Sequence, residues 1–500
     1  MENLNPNSIG KILFYLFVYV LAFAAAVGEV VVWWRFPKKL AAIALLTWKA
    51  AFRMRLIQIM IVLLLAAVLG LPLILRHDGT AQGFTQILLT YTLGAITVLL
   101  GFATLWLACG TLARDIEECQ IQMVVVKPIA RWEIWLGKWL GVVVLNALLL
   151  GLAGVGVFSL MQWRAGRLPA EVQNELRNKI LVSRGSMKES VDQNLIDRAI
   201  EQQLAERLKD PSIAQMNRDF VRQQVTEHVK AQFQIRPPGT GRRWRIDFGA
   251  RGAELRDQPL VVRTKFYSAQ GASQGLSPPT FVGLWEIGPV DGRRYRPEPM
   301  SLAAETVHEF PVPPGLIDDR GVLTIDFMNS NDTALLFPLD EGLEVLYREG
   351  GFAVNFARGL GIILCWMALL AAIGLAAASF LTFPVAAFFS LAILIVGFST
   401  GTLKQVIDEG GISGVNHDTG RIEAPALIDR VVVPAFGGLL EVVNLVRGFS
   451  PIDALSTGRS VSWGQLGRAV AQIVGLMGGL FAAGGIILFT RRELATAQGA

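Results

Sequence analysis

Residues 118–141 read ECQIQMVVVKPIARWEIWLGKWLG, a charged and proline-broken stretch set between two apolar runs. Its polar members are Glu118, Lys127, Arg131, Glu133 and Lys138, and Met123, Val124, Val125 and Val126 lie between the first two. Carboxylates and cations at this spacing cap helices, pair with each other and hold a segment at a membrane surface. Pro128 lacks a backbone donor and ends a helix. This is the chemistry of positioning a segment, not of bond breaking.

Other residues that could do chemistry fall away on context. There is no GxxxxGK[ST] phosphate loop; GTGRR (239–243) and GSMKES (185–190) lack its spacing, so this route provides no ATP site. There is no HExxH. The one GxSxG match, GASQG at 271–275, follows a strand pattern but runs into LSPP rather than a helix, so Ser273 reads as a loop residue and not as a nucleophile elbow. His228 and His308 stand alone and read as structural. Cys109, Cys119 and Cys365 share no metal-ligand spacing, and none lies in the polar central region. The expectation is a chain with no catalytic centre, metal or cofactor of its own.

The elements that must position the opening stretch are membrane helices. The 500 residues are 52% apolar and 17% charged, and charge is missing from whole segments. About 20 apolar residues cross a bilayer. Seven stretches qualify, roughly 11–33, 57–75, 85–110, 139–161, 354–379, 384–402 and 467–489. The net charge of +5 is a topology signal rather than a nucleic-acid footprint. Loop 34–56 has Arg35, Lys38, Lys39, Lys49, Arg53 and Arg55 and no acid, which places it in the cytoplasm. Counting outward, 111–138 and the tail with Arg491 and Arg492 are also inside, while the N-terminus, 162–353 and 403–466 are outside. The first span reads as an uncleaved helix, since VVVWW (30–34) follows its small residues. Its Glu29 reads as an interfacial carboxylate near Arg35.

The expected domains are 1–37, an extra N-terminal span; 38–163 and 351–500, two halves of a membrane bundle; and 164–350, an inserted extracytoplasmic α+β domain. Within the last, 168–235 has helical periodicity. Val191, Leu195, Leu204 and Leu208 form one apolar stripe, Met216, Phe220, Val225, Val229 and Phe233 a second, with Asp210–Pro211 between them. From 240 to 347 the short runs WRIDFG, PLVVRTKFYSA, FVGLWEIGPV, VHEFPVP, GVLTIDFMNS and TALLFPL alternate between turn clusters, which predicts a β-sandwich.

The opening stretch resembles the intracellular loop of ABC-2 type transporter permeases. That family has an acid at a helix end, a short amphipathic helix, a Pro-x-x-Arg-x-Glu turn and a Gly-Lys pair opening the next span. Here these are Glu118, IQMVVV (121–126), Pro128, Arg131, Glu133 and Gly137–Lys138. Where the family often has Gly-Thr after the acid, this chain has Cys119 and Gln120. Residues 39–56 resemble the family's interfacial elbow helix. FSPIDALSTGRSVSW (449–463) and FTRREL (489–494) resemble its C-terminal region. The likeness covers about 39–163 and 354–495, and leaves out the first span and the inserted domain.

The resemblance implies a six-span core in the bacterial cytoplasmic membrane, paired with a second permease copy or paralogue and docked to a separate cytoplasmic ABC ATPase that binds the ATP. On this reading Glu118, Met123, Val124, Val125, Val126, Lys127, Pro128, Arg131, Glu133, Gly137 and Lys138 are the coupling site. The valines form an apolar face for the ATPase, and Arg131 and Lys138 anchor the segment at the headgroups. Two alternatives stand beside an exporter subunit: an ATPase-driven mechanical or envelope-remodelling protein, and a membrane-anchored sensor whose β-domain captures a ligand. The stretch FGGLLEVVNLVRGF (436–449) reads as an interfacial anchor.

Overall fold

The structure is a computed structural model and describes residues 37–74, 80–190, 193–209, 218–268, 280–339, 341–398, 437 and 449–493. The expected first span with Glu29, Val191, Asp210–Pro211, Met216, the GASQG turn and nearly all of the 436–449 stretch lie outside the described residues. The chain divides into two compact units, 1–182 with 351–500, and 183–350.

The first unit opens with helix α1 (Lys38–Arg53). It buries Ala41, Ala44, Trp48 and Ala51 on one face and exposes Lys38, Lys39, Leu46 and Lys49, a two-faced amphipathic pattern whose apolar side is buried in the protein. Met54 is extended (ψ 124°), and the chain then turns into α2 (Arg55–Ile74). The bend between Lys38–Arg53 and Ile57–Leu71 is 73°. Helix α3 (Ala81–Glu117) starts at Thr80, whose hydroxyl accepts from the Gly83 N–H at 3.0 Å. Then come the short helix α4 (Gln120–Val125), α5 (Arg131–Ala165) and α6 (Ala170–Lys179).

Helix α6 belongs to this unit, not to the inserted domain. Leu176 and Ile180 are buried in the same cluster as Met161 and Ala165 of α5. The boundary therefore falls at residue 183 and not at 164.

The second unit holds helices α7 (Gln193–Arg207) and α8 (Arg218–Gln234). They pack through Ile196, Ile200 and Leu204 against Val221, Val225 and Val229. Leu204, Val225 and Val229 of the expected stripes lie in this seam and Leu208 packs against it, whereas Leu195 and Phe233 are exposed and Ile196, Ile200 and Val221 take the remaining places. Strand β1 (Val182–Lys188) also corrects the expectation that 168–235 is wholly helical. VSRGSMK has no clean alternation, and it becomes a strand by joining the edge of a sheet.

The remaining strands are β2 (Ile235–Arg236), β3 (Gly241–Asp247), β4 (Leu260–Lys265), β5 (Tyr267–Ser268), β6 (Thr280–Ile287), β7 (Met300–Ala303), β8 (Val307–Val312), β9 (Val322–Asn329), β10 (Leu335–Leu336) and β11 (Leu343–Gly351). They form sheets of order β1-β11-β4-β8, β3-β9-β6-β7 and β2-β10-β5. The two four-stranded sheets share one core, as expected of a sandwich. Alternate residues of β4 and β6 point into it, and the register sets Trp285 opposite Phe327 and Val262 opposite Phe310. Trp285 and Phe327 have ring centroids 4.7 Å apart.

The chain re-enters the first unit with α9 (Phe352–Ala378), α10 (Phe383–Phe398), α11 (Pro451–Ser456) and α12 (Trp463–Arg491). The middle of α12, Val470–Gly478, is wound as a π-helix. Among the described residues four helices are long and apolar enough to cross a membrane: Thr85–Glu117, Arg131–Ala165, Phe352–Ala378 and Trp463–Arg491. The bent α1–α2 pair makes a fifth if counted as one span, and α10 is represented by the shorter apolar helix Phe383–Ile395. The chain has the character of a multi-pass membrane protein. Inside the bundle, Thr104 Oγ1 of α3 lies 2.9 Å from Asn146 Oδ1 of α5, and the Trp139 indole N–H donates to the Ala368 carbonyl of α9 at 2.9 Å.

Candidate functional site

The 118–141 stretch forms one connected corner at one end of the first unit. Helix α3 stops at Glu118, and Cys119 takes a left-handed conformation (φ 57°) that turns the chain into α4. Glu118 is exposed, and its carboxylate accepts from the Gln120 side chain at 2.6 Å. One residue earlier, the Glu117 carboxylate accepts the Phe383 N–H at 2.7 Å, which ties the end of α3 to the start of α10.

The six residues of α4 present two faces. Ile121 is fully buried beside Leu112, Ile134 and Trp135, and Val124 and Val125 lean half-buried on the same cluster. Met123 is 70% exposed and Val126 87% exposed. This revises the expected docking face of three valines: Val124 and Val125 hold the helix to its own bundle, and Met123 and Val126 are the apolar side chains left free. A helix face repeats at three and four residues, so consecutive valines cannot all point one way. Lys127 and Pro128 are exposed in the turn that follows.

Arg131, the first residue of α5, does not reach toward headgroups. Its Nη1 donates to the carbonyls of Phe489, Thr490 and Arg492 at 3.0, 2.7 and 2.9 Å. The last carbonyls of a helix have no partner within it and form its negative end, so a guanidinium there satisfies both needs. Glu133 caps the start of α5: its carboxylate accepts the Ala130 N–H at 2.8 Å. Lys39 of α1 closes the corner, donating to the Pro128 carbonyl at 2.7 Å and standing 3.9 Å from the Glu133 carboxylate.

Lys138 is likewise no headgroup anchor. It is buried, with its ammonium 2.5 Å from Asp115 and 2.7 Å from the Thr111 carbonyl, both on α3. An amine enclosed by a bundle must find such partners, because the cost of an unpaired buried charge is large. Gly137 is where α1 comes closest. A Cβ there would stand 2.7 Å from the Cβ of Ile43, and one on Gly141 would stand 2.7 Å from the Ala44 carbonyl oxygen. The run GKWLG is thus a small-xxx-small face that lets α1 lie directly on α5.

The structure brings most of the expected residues into this corner. Sequence reasoning missed Lys39, Asp115, Glu117, Ile121 and Gly141 as members. The GKWLG spacing was a usable signal for Gly141. No local pattern announces that Lys39 meets Pro128 or that Asp115 meets Lys138.

Among its described residues the second unit carries no comparable corner, but the solvent face of β9 and β6 holds an ion network. Asp326 accepts from Arg243 Nε at 2.7 Å and Arg294 Nη2 at 2.6 Å, and Glu286 accepts from Arg294 Nη1 at 2.7 Å. Burial works against the charged form of Asp326, yet the Arg243 and Arg294 guanidiniums together hold its carboxyl below the usual carboxylate range. His308 is structural: its Nε2 lies 2.8 Å from the Ala303 carbonyl and its ring stacks on Phe266. Among the described residues no group of His, Cys, Asp and Glu is placed to hold a metal ion.

Comparison with protein-family models, with curated proteins and with solved structures finds no match to this chain.

Proposed function

We propose that the chain is the membrane-spanning permease subunit of an ABC exporter, driven by a separate cytoplasmic ATPase that docks on α4. The observation that carries this reading is the mechanical connection of α4. The helix exposes Met123 and Val126 outward, while each of its ends is fastened to a different span. On one side Cys119 joins it to α3, and on the other Arg131 joins the following segment to the end of α12 at 2.7–3.0 Å. A load applied to α4 therefore reaches the spans directly. An exposed apolar pair, one on a six-residue helix and one at its C-cap, is also a small docking surface of the kind a partner groove covers.

On this proposal the corner faces the cytoplasm, because the basic α1 lies in it. Unit 183–350 is then extracytoplasmic, and a six-span core is completed by α2 and α10. The chain works as a dimer in the bacterial inner membrane. The absence of a phosphate loop in the sequence is consistent with ATP hydrolysis in a partner.

The test is capture of the ATPase from native membranes by the tagged chain, with wild type beside Val126→Glu and Met123→Glu. Both substitutions lie on exposed side chains, so the fold is expected to survive. Wild type should retain an ATPase and both variants should lose most of it. Recovery of no ATPase by wild type, or equal recovery by both variants, sinks the proposal.

A further inference from the structure

Arg358 is a charged side chain with no counter-charge among the described residues. It stands six residues after Phe352 in α9, in the half of the bundle away from the α4 corner, and is only 7% exposed. Among the described residues no carboxylate pairs with it, and its Nε is enclosed without a hydrogen bond. Its one contact of note is the Trp463 ring, whose centroid lies 5.5 Å from Cζ. Trp463 is itself 67% exposed, so the guanidinium is reached past the indole.

The surroundings of Arg358 are fixed. One turn earlier the buried Asn355 donates to the Arg459 carbonyl at 2.7 Å and accepts the Val461 N–H at 2.7 Å. On the other side, a Cβ on Gly359 would stand 2.5 Å from Leu455 Cδ1. Helix α11, the loop at 457–462 and the start of α12 therefore close on α9 around this position. In that loop Ser460 keeps a second enclosed polar atom, its hydroxyl, without a partner.

A snorkelling arginine keeps its head in water. Here the side chain is covered, and desolvating a charge costs several kcal/mol unless something pairs with it. An ionisable residue inside a membrane bundle marks a ligand or a pathway by default. A guanidinium presents a planar fork of donors that matches an oxyanion, and it is less strongly hydrated than an ammonium.

We propose that Arg358, flanked by Trp463 and the Ser460 loop, is the recognition residue of a binding site for a phosphate-type oxyanion. The anion is carried on a lipid headgroup or is free in solution. This inference rests on the bundle being membrane-embedded and not on the permease reading, so the two fail separately.

The test uses the full-length, delipidated chain in dodecyl maltoside micelles, which carry no phosphate, either alone, with phosphatidylglycerol added, or with inorganic phosphate added. Melting midpoints are measured for wild type, Arg358→Gln and Arg358→Lys. In maltoside alone Arg358→Gln should melt at or above wild type, since a buried charge without a counter-charge has been removed. Adding the anion should raise wild type by about 2–4 °C, raise Arg358→Lys by part of that, and leave Arg358→Gln unmoved. A gain with inorganic phosphate identifies a free oxyanion as ligand; a gain with phosphatidylglycerol alone identifies a lipid headgroup. The proposal is overturned if wild type gains from neither anion, if Arg358→Gln gains as much, or if Arg358→Gln melts below wild type or fails to fold in maltoside alone.

Discussion

The guanidinium of Arg131 donates to the carbonyl of Phe489 at 3.0 Å, across 358 positions of sequence. With Thr490 and Arg492 as further acceptors, one side chain closes the last turn of α12 and fixes the start of α5 against it. Charge-assisted bonds to helix carbonyls are among the stronger ones available.

Replacing Arg131 by Gln should therefore cost about 1–3 kcal/mol. Hydrogen exchange should rise in the peptide 479–491 more than in 352–378. Unchanged exchange in 479–491 would show that the cap adds nothing to the end of α12.

The α1–α5 contact gives a graded test. Gly137→Ala and Gly141→Ala push a methyl into Ile43 and into the Ala44 backbone, and overpacking of this kind costs about 1–3 kcal/mol. Gly151 lies on the same helix with open space where a Cβ would go. Gly151→Ala should be neutral or stabilising by about 0.5–1 kcal/mol. Thermal midpoints of the three variants in one detergent decide the matter, and a ranking that put Gly151→Ala lowest would refute the packing account.

Cys119 holds a left-handed backbone conformation that L-residues, unlike achiral glycine, resist by about 1–2 kcal/mol. Cys119→Gly should raise the melting midpoint, and Cys119→Val, with a β-branched side chain in the left-handed region, should lower it. Equal midpoints for the two variants would mean that the turn relaxes freely. The thiol is exposed and free, so a gentle alkylating reagent should label Cys119 ahead of the buried Cys109 and Cys365.

The carboxyl of Asp326 titrates lower in the folded state than in the unfolded one, because Arg243 and Arg294 outweigh the effect of burial. Between the two values the unfolded chain binds more protons, so stability falls as pH drops. The contribution is complete above about pH 4, the ordinary aspartate range, and is lost below it. The protection factor of the peptide 322–329, its hydrogen exchange corrected for the intrinsic rate at each pH, should fall at the acid end between pH 6 and pH 3. Asp326→Asn should exchange faster at pH 6 and show a flatter profile; an unchanged profile would remove the ion pairs from the account.

Much of the architecture was legible in one dimension, for a physical reason. Hydrophobic period and apolar run length are local properties: runs at 85–110, 139–161, 354–379 and 467–489 lie in helices long enough to cross a membrane, and two-residue alternation in WRIDFG and FVGLWEIGPV lies in strands of a sandwich. The short helix before Pro128, the basic elbow and the absence of a phosphate loop are local as well. Tertiary structure decided the rest. VSRGSMK is a strand only because a sheet edge accepts it, and α6 joins the bundle only because Leu176 finds the core there. Lys138 and Arg131 look alike in the sequence as basic residues near a membrane surface. Folding gave one Asp115 and gave the other the end of α12, because a charge withdrawn from water takes whichever partner the packed helices bring to it.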